Sequence, residues 1–192
     1  MIKFSRRIIE TERIQLYPYA LKYYEPFFRL IQKNKTRLSD SFQNLLKSTE
    51  TDTDTKEFMQ RKINDWNKNK NYALIIVYKS NHELIGHFNL KEIDWKTGVG
   101  EIAYFIDAGF EQRGLATEVI CRMLSVCFED IGLNHVFARI VSDNIASQKA
   151  AEKSGLKYEG AFFKSHTMHD HTMVETYRYG LSREDYLRSP VR

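Results

Sequence analysis

The sequence predicts one α/β domain, a largely antiparallel sheet of about seven strands flanked by about four helices. Three observations predict it. Strand-period and helix-period segments succeed one another along all 192 residues, with no Pro/Gly/Ser-rich linker, low-complexity stretch or internal repeat. Three strand-like runs between Tyr72 and Ile106, separated by short turns, read as an antiparallel meander. The polar turn Glu111-Gln112-Arg113-Gly114 then joins the last of these runs to a long amphipathic helix. The domain is expected to span 1–192, with a core over about 11–182 and a short polar C-terminal tail.

The elements follow in order. Glu12 to Tyr17 alternates and stops at Pro18, as a first strand does. Leu21 to Lys33 suits a helix, with Tyr24, Phe27, Phe28 and Ile31 on one side. Asn34 to Glu50 is a polar connector with apolar islands at Leu38, Phe42, Leu45 and Leu46. A second helix is expected over Asp54 to Lys68, where Asp54 and Glu57 resemble a capping box. Tyr72 to Tyr78 is continuously apolar, hence a strand buried on both faces. Leu84 to Leu90 and Val99 to Ile106 complete the meander. A helix from Gly114 to Asp130, a strand from His135 to Val141 and a helix from Ile145 to Gly155 come next, Gly155 being a left-handed terminator. Two strands, Leu156 to Met168 and Val174 to Leu181, flank a turn at His169-Asp170-His171.

Composition narrows the function. Hydrophobic residues are 42% and aromatics 13% of the chain, enough for a packed core. No apolar run reaches the ~20 residues of a membrane span, and the N-terminus lacks the apolar segment of a secretory signal, so a cytoplasmic protein is expected. Cys121 and Cys127 are six apart on one helix and point different ways, so they read as small core residues in a reducing compartment. The net charge of +4 is spread without a dense basic block, which gives no reason to expect nucleic-acid binding.

The turn before Leu115 carries the chemistry. A helix that starts on a glycine leaves several backbone N–H groups open, with the positive end of the helix dipole behind them. Such a start suits a diphosphate, and a phosphorylated carrier implies group transfer.

Strand, glycine turn, helix, strand, then Asn144-Ile145-Ala146-Ser147, helix and Gly155-Leu156 together resemble the GNAT superfamily of acetyl-CoA-dependent N-acetyltransferases. The resemblance runs from Thr11 to Glu184 and is strongest to the Rim-type branch, which acetylates the N-terminal amines of ribosomal proteins. It implies a mixed, mostly antiparallel sheet with a V-shaped splay between the fourth and fifth strands, opened by a bulge in the fourth. In this chain the opening falls between Tyr104-Phe105-Ile106 and the strand ending at Val141. The family's pyrophosphate loop is matched at Gly114 and Ala116; Glu111 stands where Gln or Arg is usual and is expected to point to solvent. The resemblance then places the cofactor, acetyl-CoA, on Phe105, Ile106, Asp107, Gln112, Arg113, Gly114, Leu115, Ala116, Thr117, Asn144 and Ser147, with pantetheine on backbone groups of Phe105 and Asp107 in the manner of an added strand. No metal is expected.

Acetyl transfer to an amine needs a neutral amine, a donor to the carbonyl oxygen and a proton for the departing thiolate. Glu101 is the candidate base, on the expectation that burial raises its pKa; a solvated or ion-paired strand Glu is the alternative. Where many family members carry a Tyr to protonate the thiolate, this chain has Ala151, which leaves Ser147 as the nearest hydroxyl or else a helix cap. Asn34, Arg37 and His166 are candidate substrate contacts, His166 also an alternative base. Lys149 and Lys153, one turn apart, are either a solvated face or contacts for cofactor phosphate. The acceptor is expected to be a protein N-terminal α-amine. A small amine such as an amino sugar, polyamine or amino acid is the second reading, and a non-catalytic acyl-CoA-binding module the third. Neither nucleic acid nor membrane is an expected partner, and a homodimer is compatible with all three.

Overall fold

A computed structural model of the chain describes residues 4–167 and 173–188, with side chains through residue 162 and again from 173. The described strands are β1 (Ile9–Glu10), β2 (Ile14–Pro18), β3 (Tyr72–Tyr78), β4 (Glu83–Asp94), β5 (Val99–Ile106), β6 (His135–Val141), β7 (Lys157–Thr167) and β8 (Met173–Ser182). The helices are α1 (Tyr24–Lys33), α2 (Lys35–Leu38), α3 (Gln43–Lys47), α4 (Asp52–Asn67), α5 (Leu115–Ser125), α6 (Ile145–Lys153) and α7 (Arg183–Arg188). All eight strands join one sheet in the order β1-β2-β3-β4-β5-β6-β8-β7. Among the described residues, only β5 and β6 pair in parallel.

The continuous apolar run of β3 sits between β2 and β4 with helices on both faces. Its alternate residues divide between two cores, as the two-residue period of a strand requires. Ala73, Ile75 and Val77 meet Phe27, Ile31 and Met59 of α1 and α4. Leu74 and Ile76 share the other core with Ile120, Met123 and Leu124 of α5.

The structure differs from the sequence expectation in several places. The core reaches beyond 11–182 at both ends, because Phe4 packs on Trp66 and Tyr72, and Tyr186 of α7 stacks on Phe128. The added strand β1 pairs with β2 through only two residues. The connector after α1 coils into α2 and α3, which bury Leu38 and Leu45. Helix α4 begins earlier than expected: Thr51 is the cap and Asp54 its reciprocal partner, closing a capping box on that pair instead of on Asp54 and Glu57. Helix α5 widens into a π-helix over Val126–Ile131 before ending at Gly132, whose φ is +82°. Val126, Cys127 and Phe128 are consecutive and all buried, an arc the wider turn accommodates.

The sheet parts where the functional reading requires. β5 pairs with β6 only from Val99 to Glu101, opposite His135 to Phe137. Beyond that point β5 keeps β4 on one side and β6 keeps β8 on the other, so the edge of β5 from Ile102 to Ile106 faces a gap. The nearest bulge lies on β4 and not on β5: between Lys91 and Asp94 the strand places two residues opposite Gly100, and Glu92 takes φ +49°. A bulge sharpens the local twist and re-aims a side chain; here Glu92 turns toward Arg139 on β6 at 2.7 Å.

The intact wall of the gap depends on a close approach at Gly86, where a Cβ would lie 2.4 Å from the Phe105 carbonyl oxygen. Gly86→Ala should therefore force β4 and β5 apart and lower stability by about 1–3 kcal/mol, the usual cost of overpacking. The shift in urea midpoint measures it; an unchanged midpoint would show that this contact yields freely.

Candidate active site

Two clefts open on the gap. The first, about 570 Å³, runs over the start of α5 and is lined by Gln112, Gly114, Leu115, Ala116 and Thr117 together with Phe105 and Ile106. Gly114 caps the helix in the left-handed region at φ +75°, and no side chain caps it. The first ladder bond runs from the Glu118 N–H to the Gly114 C=O, 3.0 Å, so the N–H groups of Leu115, Ala116 and Thr117 precede the ladder. A Cβ on Gly114 would meet nothing nearer than the Arg13 guanidinium at 3.7 Å. The cradle is thus open, rich in backbone donors and electropositive, and it fits a diphosphate. Lys149 and Lys153 line the same cleft from α6.

Other expected members of this group lie elsewhere. The Arg113 guanidinium turns back to donate to the Gly109 C=O at 3.1 Å and covers the Phe110 ring, outside the cleft lining. Arg13, which sequence reasoning did not single out, holds α5 in place by pairing with Glu118 at 2.6 Å and donating to the Arg113 C=O at 2.9 Å.

Asp107 ends β5 as a buried strut, 1% exposed. Its backbone N–H donates to the Ile85 C=O and its own C=O accepts from Phe110 N–H, so neither is left for an added strand. Its carboxylate accepts from Gly109 N–H (2.7 Å), Lys33 (3.0 Å) and Asn34 (3.1 Å). Burial alone would raise its pKa, but these three donors outweigh burial and hold it below the ordinary carboxylate value. Asn34, expected at the acceptor, is 3% exposed and wholly engaged: it also donates to the Leu30 C=O and accepts from Ala108 N–H. Arg37 likewise stands on the first cleft, where it bonds the Ile106 C=O and pairs with Glu111. Glu111 is exposed, as expected, and pairs there with Arg37.

The second cleft, about 770 Å³, lies between α3, α4 and the face of β4, β5 and β6. Five residues line both clefts: Ser41, Phe42, Tyr104, Asn144 and Ser147. Asn144 is the N-cap of α6, its Oδ1 accepting from Ser147 N–H at 3.1 Å. Asn144 is thus the cap, and Ser147 lines both clefts from the first turn of α6. The Tyr104 hydroxyl donates to the Ser147 C=O at 3.3 Å, which ties the two sides of the gap together. Burial pushes the Tyr104 pKa up, so the phenol stays protonated. Ala151, where a family Tyr was missing, is buried in the core.

Glu101 lines the second cleft, but it is not an open carboxylate. It is 4% exposed, Lys91 holds Oε1 at 3.0 Å and Arg139 holds Oε2. A proton taken here would have to displace a cation, so this ion cluster, with Glu92, first serves to pin β4, β5 and β6 where they part. His87, also in this cleft, is locked: its Nδ1 meets the Tyr19 hydroxyl at 2.8 Å, and burial lowers its pKa to about 3, which keeps it neutral. His166 lies in β7, with its side chain outside the described residues, as are His169 and His171. Sequence reasoning missed Tyr104, Phe42, Lys91 and Arg139, because their importance comes from neighbours far along the chain. A polar ring in the alternating run of β5 was the one available signal.

A gap between the parallel strands, an open helix start beside it and a second cleft that shares five lining residues with the first are the arrangement of a group-transfer enzyme. The chain belongs to the acetyltransferase (GNAT) domain family, whose model matches residues 13–157, and it is an N-acetyltransferase. Among curated relatives, the ribosomal-protein-serine acetyltransferase of Escherichia coli (strain K12) is 23% identical over 160 residues, 83% of this chain and 88% of the relative. Two solved structures share the fold at 16% identity. A ribosomal-protein-S5-alanine acetyltransferase from Vibrio fischeri has TM-score 0.83 over 94% of this chain and 98% of its own. A ribosomal L7/L12 alpha-N-protein acetyltransferase solved with coenzyme A has TM-score 0.84 over 92% and 98%.

Asn34→Ala should cost about 1–3 kcal/mol at neutral pH, because it leaves a buried carboxylate short of a donor. Asp107 has a depressed folded pKa, so its contribution is present above its unfolded value of 3.8 and is lost as pH falls through the lower folded value. Urea unfolding of the two proteins should thus differ most above pH 5 and converge in acid. A gap independent of pH would place the loss outside the Asn34–Asp107 contact.

Proposed function

We propose that this N-acetyltransferase moves the acetyl group of acetyl-CoA to a protein N-terminal α-amine, of the ribosomal-protein kind. The observation that carries it is the junction at Tyr104, Asn144 and Ser147, where a cleft built for a diphosphate-bearing chain meets a cleft of different chemistry. The names of the relatives, a ribosomal-protein-serine acetyltransferase and an alpha-N-protein acetyltransferase, support the acceptor class.

In this reading the diphosphate lies on the N–H groups of Leu115, Ala116 and Thr117, with Gln112 beside them and Lys149 and Lys153 toward the phosphate end. The pantetheine arm lies along the open edge of β5, on Phe105 and its neighbours, like an added strand. Ile106 serves only after Arg37 releases its C=O, and Asp107 serves as the strut that ends the strand. Acetyl-CoA supplies an activated acyl group whose C–S bond breaks as the amine nitrogen forms the new C–N bond. The amine must arrive neutral, and it loses one further proton as the amide forms. The sulfur takes a proton from the Ser147 hydroxyl, which regains one from the amine, so coenzyme A leaves as its thiol. The Tyr104 hydroxyl, which donates to the Ser147 C=O, steadies Ser147 from the other wall. Asn144 fixes the start of α6 and hence the position of Ser147.

Glu101 acts here by holding the wall and the local charge. An α-amine has an ordinary pKa near ~7.7–8.0 against ~10.4 for lysine, so a usable fraction is neutral without a strong base.

Gly114→Val should lower coenzyme A affinity at least about tenfold, because a branched side chain at φ +75° both strains the turn and covers the donors. Titration calorimetry reads this, and unchanged affinity would move the diphosphate elsewhere. The acceptor is tested by rate against pH on a peptide with a free N-terminus. The kcat/KM profile should rise to a limb near pH ~8 that persists in Glu101→Gln. Disappearance of the limb in that variant, or faster acetylation of an internal lysine peptide, would overturn this reading.

A further inference from the structure

Among the described residues, two groups of the second cleft stand out, an amide oxygen without a hydrogen bond and an ammonium without an ion pair. Asn89, on β4, is 6% exposed and lines the cleft, yet its Oδ1 has no hydrogen-bond partner among the described residues. A buried amide oxygen left unpaired is costly, and a site that waits for a substrate N–H accounts for it. Lys62, on α4, is half-buried, lines the same cleft and makes no ion pair among the described residues. The other cations of the cleft are engaged: Lys91 with Glu92 and Glu101, Arg139 with the same two, and Arg61 with Glu57 at 3.8 Å.

Lys62 and Asn89 line that cleft from α4 and β4, and the charge of Lys62 acts on His87 and Lys91, which flank Asn89 at two-residue spacing on one face of β4. The Lys62 ammonium lies 5.6 Å from the Phe58 ring centroid. Burial lowers its pKa, and Asp65 only partly opposes that from one turn along the helix. An ammonium partly stripped of water gains most from a new anion.

We propose that Lys62 and Asn89 form a recognition subsite for an acceptor that carries a carboxylate close to its reacting amine. Asn89 Oδ1 accepts from the amine N–H after a small turn about χ2, a soft torsion. Lys62 pairs with the carboxylate. One unmatched cation calls for one negative charge, which favours a carboxylate over a doubly charged phosphate. For a protein acceptor this means an acidic side chain at one of the first two residues. The inference rests on reading the second cleft as the acceptor site.

The test compares peptides that differ only at the second residue, Glu, Gln or Lys, with wild type, Lys62→Gln and Lys62→Glu. Wild type should prefer the Glu peptide to the Gln peptide by about tenfold in kcat/KM, the size of one charge-assisted contact, expressed mainly in KM. Lys62→Gln should bring that ratio near one, and Lys62→Glu should turn the preference toward the Lys peptide. Asn89→Ala should slow all three peptides alike, since it touches the amine common to them. Equal wild-type rates on the Glu and Gln peptides, or a preference that survives in Lys62→Gln, overturns the subsite. If no peptide is acetylated, the protein-acceptor reading fails by itself. Free glutamate against glutamine then tests the subsite directly: a tenfold preference for glutamate that Lys62→Gln abolishes supports it, and equal or absent turnover of both overturns it.

Discussion

The parting of β5 from β6 after Glu101 and Phe137 is the constraint on which the rest of the molecule depends. Two parallel strands need a long crossover, and here α5 supplies it. The crossover leaves the end of β5 through a turn and starts α5 there; β6 leaves its own end into α6. Both helix starts consequently lie beyond the carboxyl ends of this parallel pair, at the point where a sheet of this kind opens a crevice. The edge of β5 that β6 abandons has no strand beside it from Ile102 to Ile106, which would be a liability on an idle surface. Lying beside an electropositive helix start, it becomes a track for an extended ligand.

Such a gap must be stiff to be useful, and buried charge stiffens it at both ends of β5. At the closed end, Glu101 gathers Lys91 from β4 and Arg139 from β6, and the bulge that carries Glu92 adds a second carboxylate to the same Arg. At the open end, Asp107 gathers Lys33 and Asn34 from α1 and the residue after it. Neither carboxylate would tolerate burial alone. Each is satisfied by groups from distant parts of the chain, so the wall between them cannot drift without breaking an ion pair. The same arrangement removes Glu101 and Asn34 from the list of freely available substrate contacts.

How much of this was legible in the sequence follows from how far each feature reaches. The strands from Tyr72 to Ile106 and the helix after Gly114 are local patterns, and periodicity locates them. Gly114 by itself reads as a plain turn residue, and it becomes legible as a phosphate site only with the strand before it and the Asn144-to-Ser147 segment after it. Arg37 and Asn34 were read as acceptor contacts because they follow the first helix; their partners, Ile106, Glu111 and Asp107, lie some 70 residues on, and no local pattern announces them. Tyr104 hid in an alternating run as one more core aromatic. Lys62 and Asn89 come from a helix and a strand that meet only in the folded sheet.

The two clefts also differ in what they are made of, and this bears on how far a motif can be trusted. The first is built mainly from backbone: N–H groups at the start of α5 and the bare edge of β5. Side chains at Glu111 and Ala151 can therefore depart from the family pattern without removing the groups that the reading assigns to the carrier, and Arg37 absorbs the charge of Glu111. The second cleft is built from side chains on α3, α4 and β4, where one substitution changes charge or shape outright. On this reading, the donor is legible from the motif because geometry alone holds it. The acceptor has to be argued from what Lys62, Asn89 and their neighbours leave unpaired.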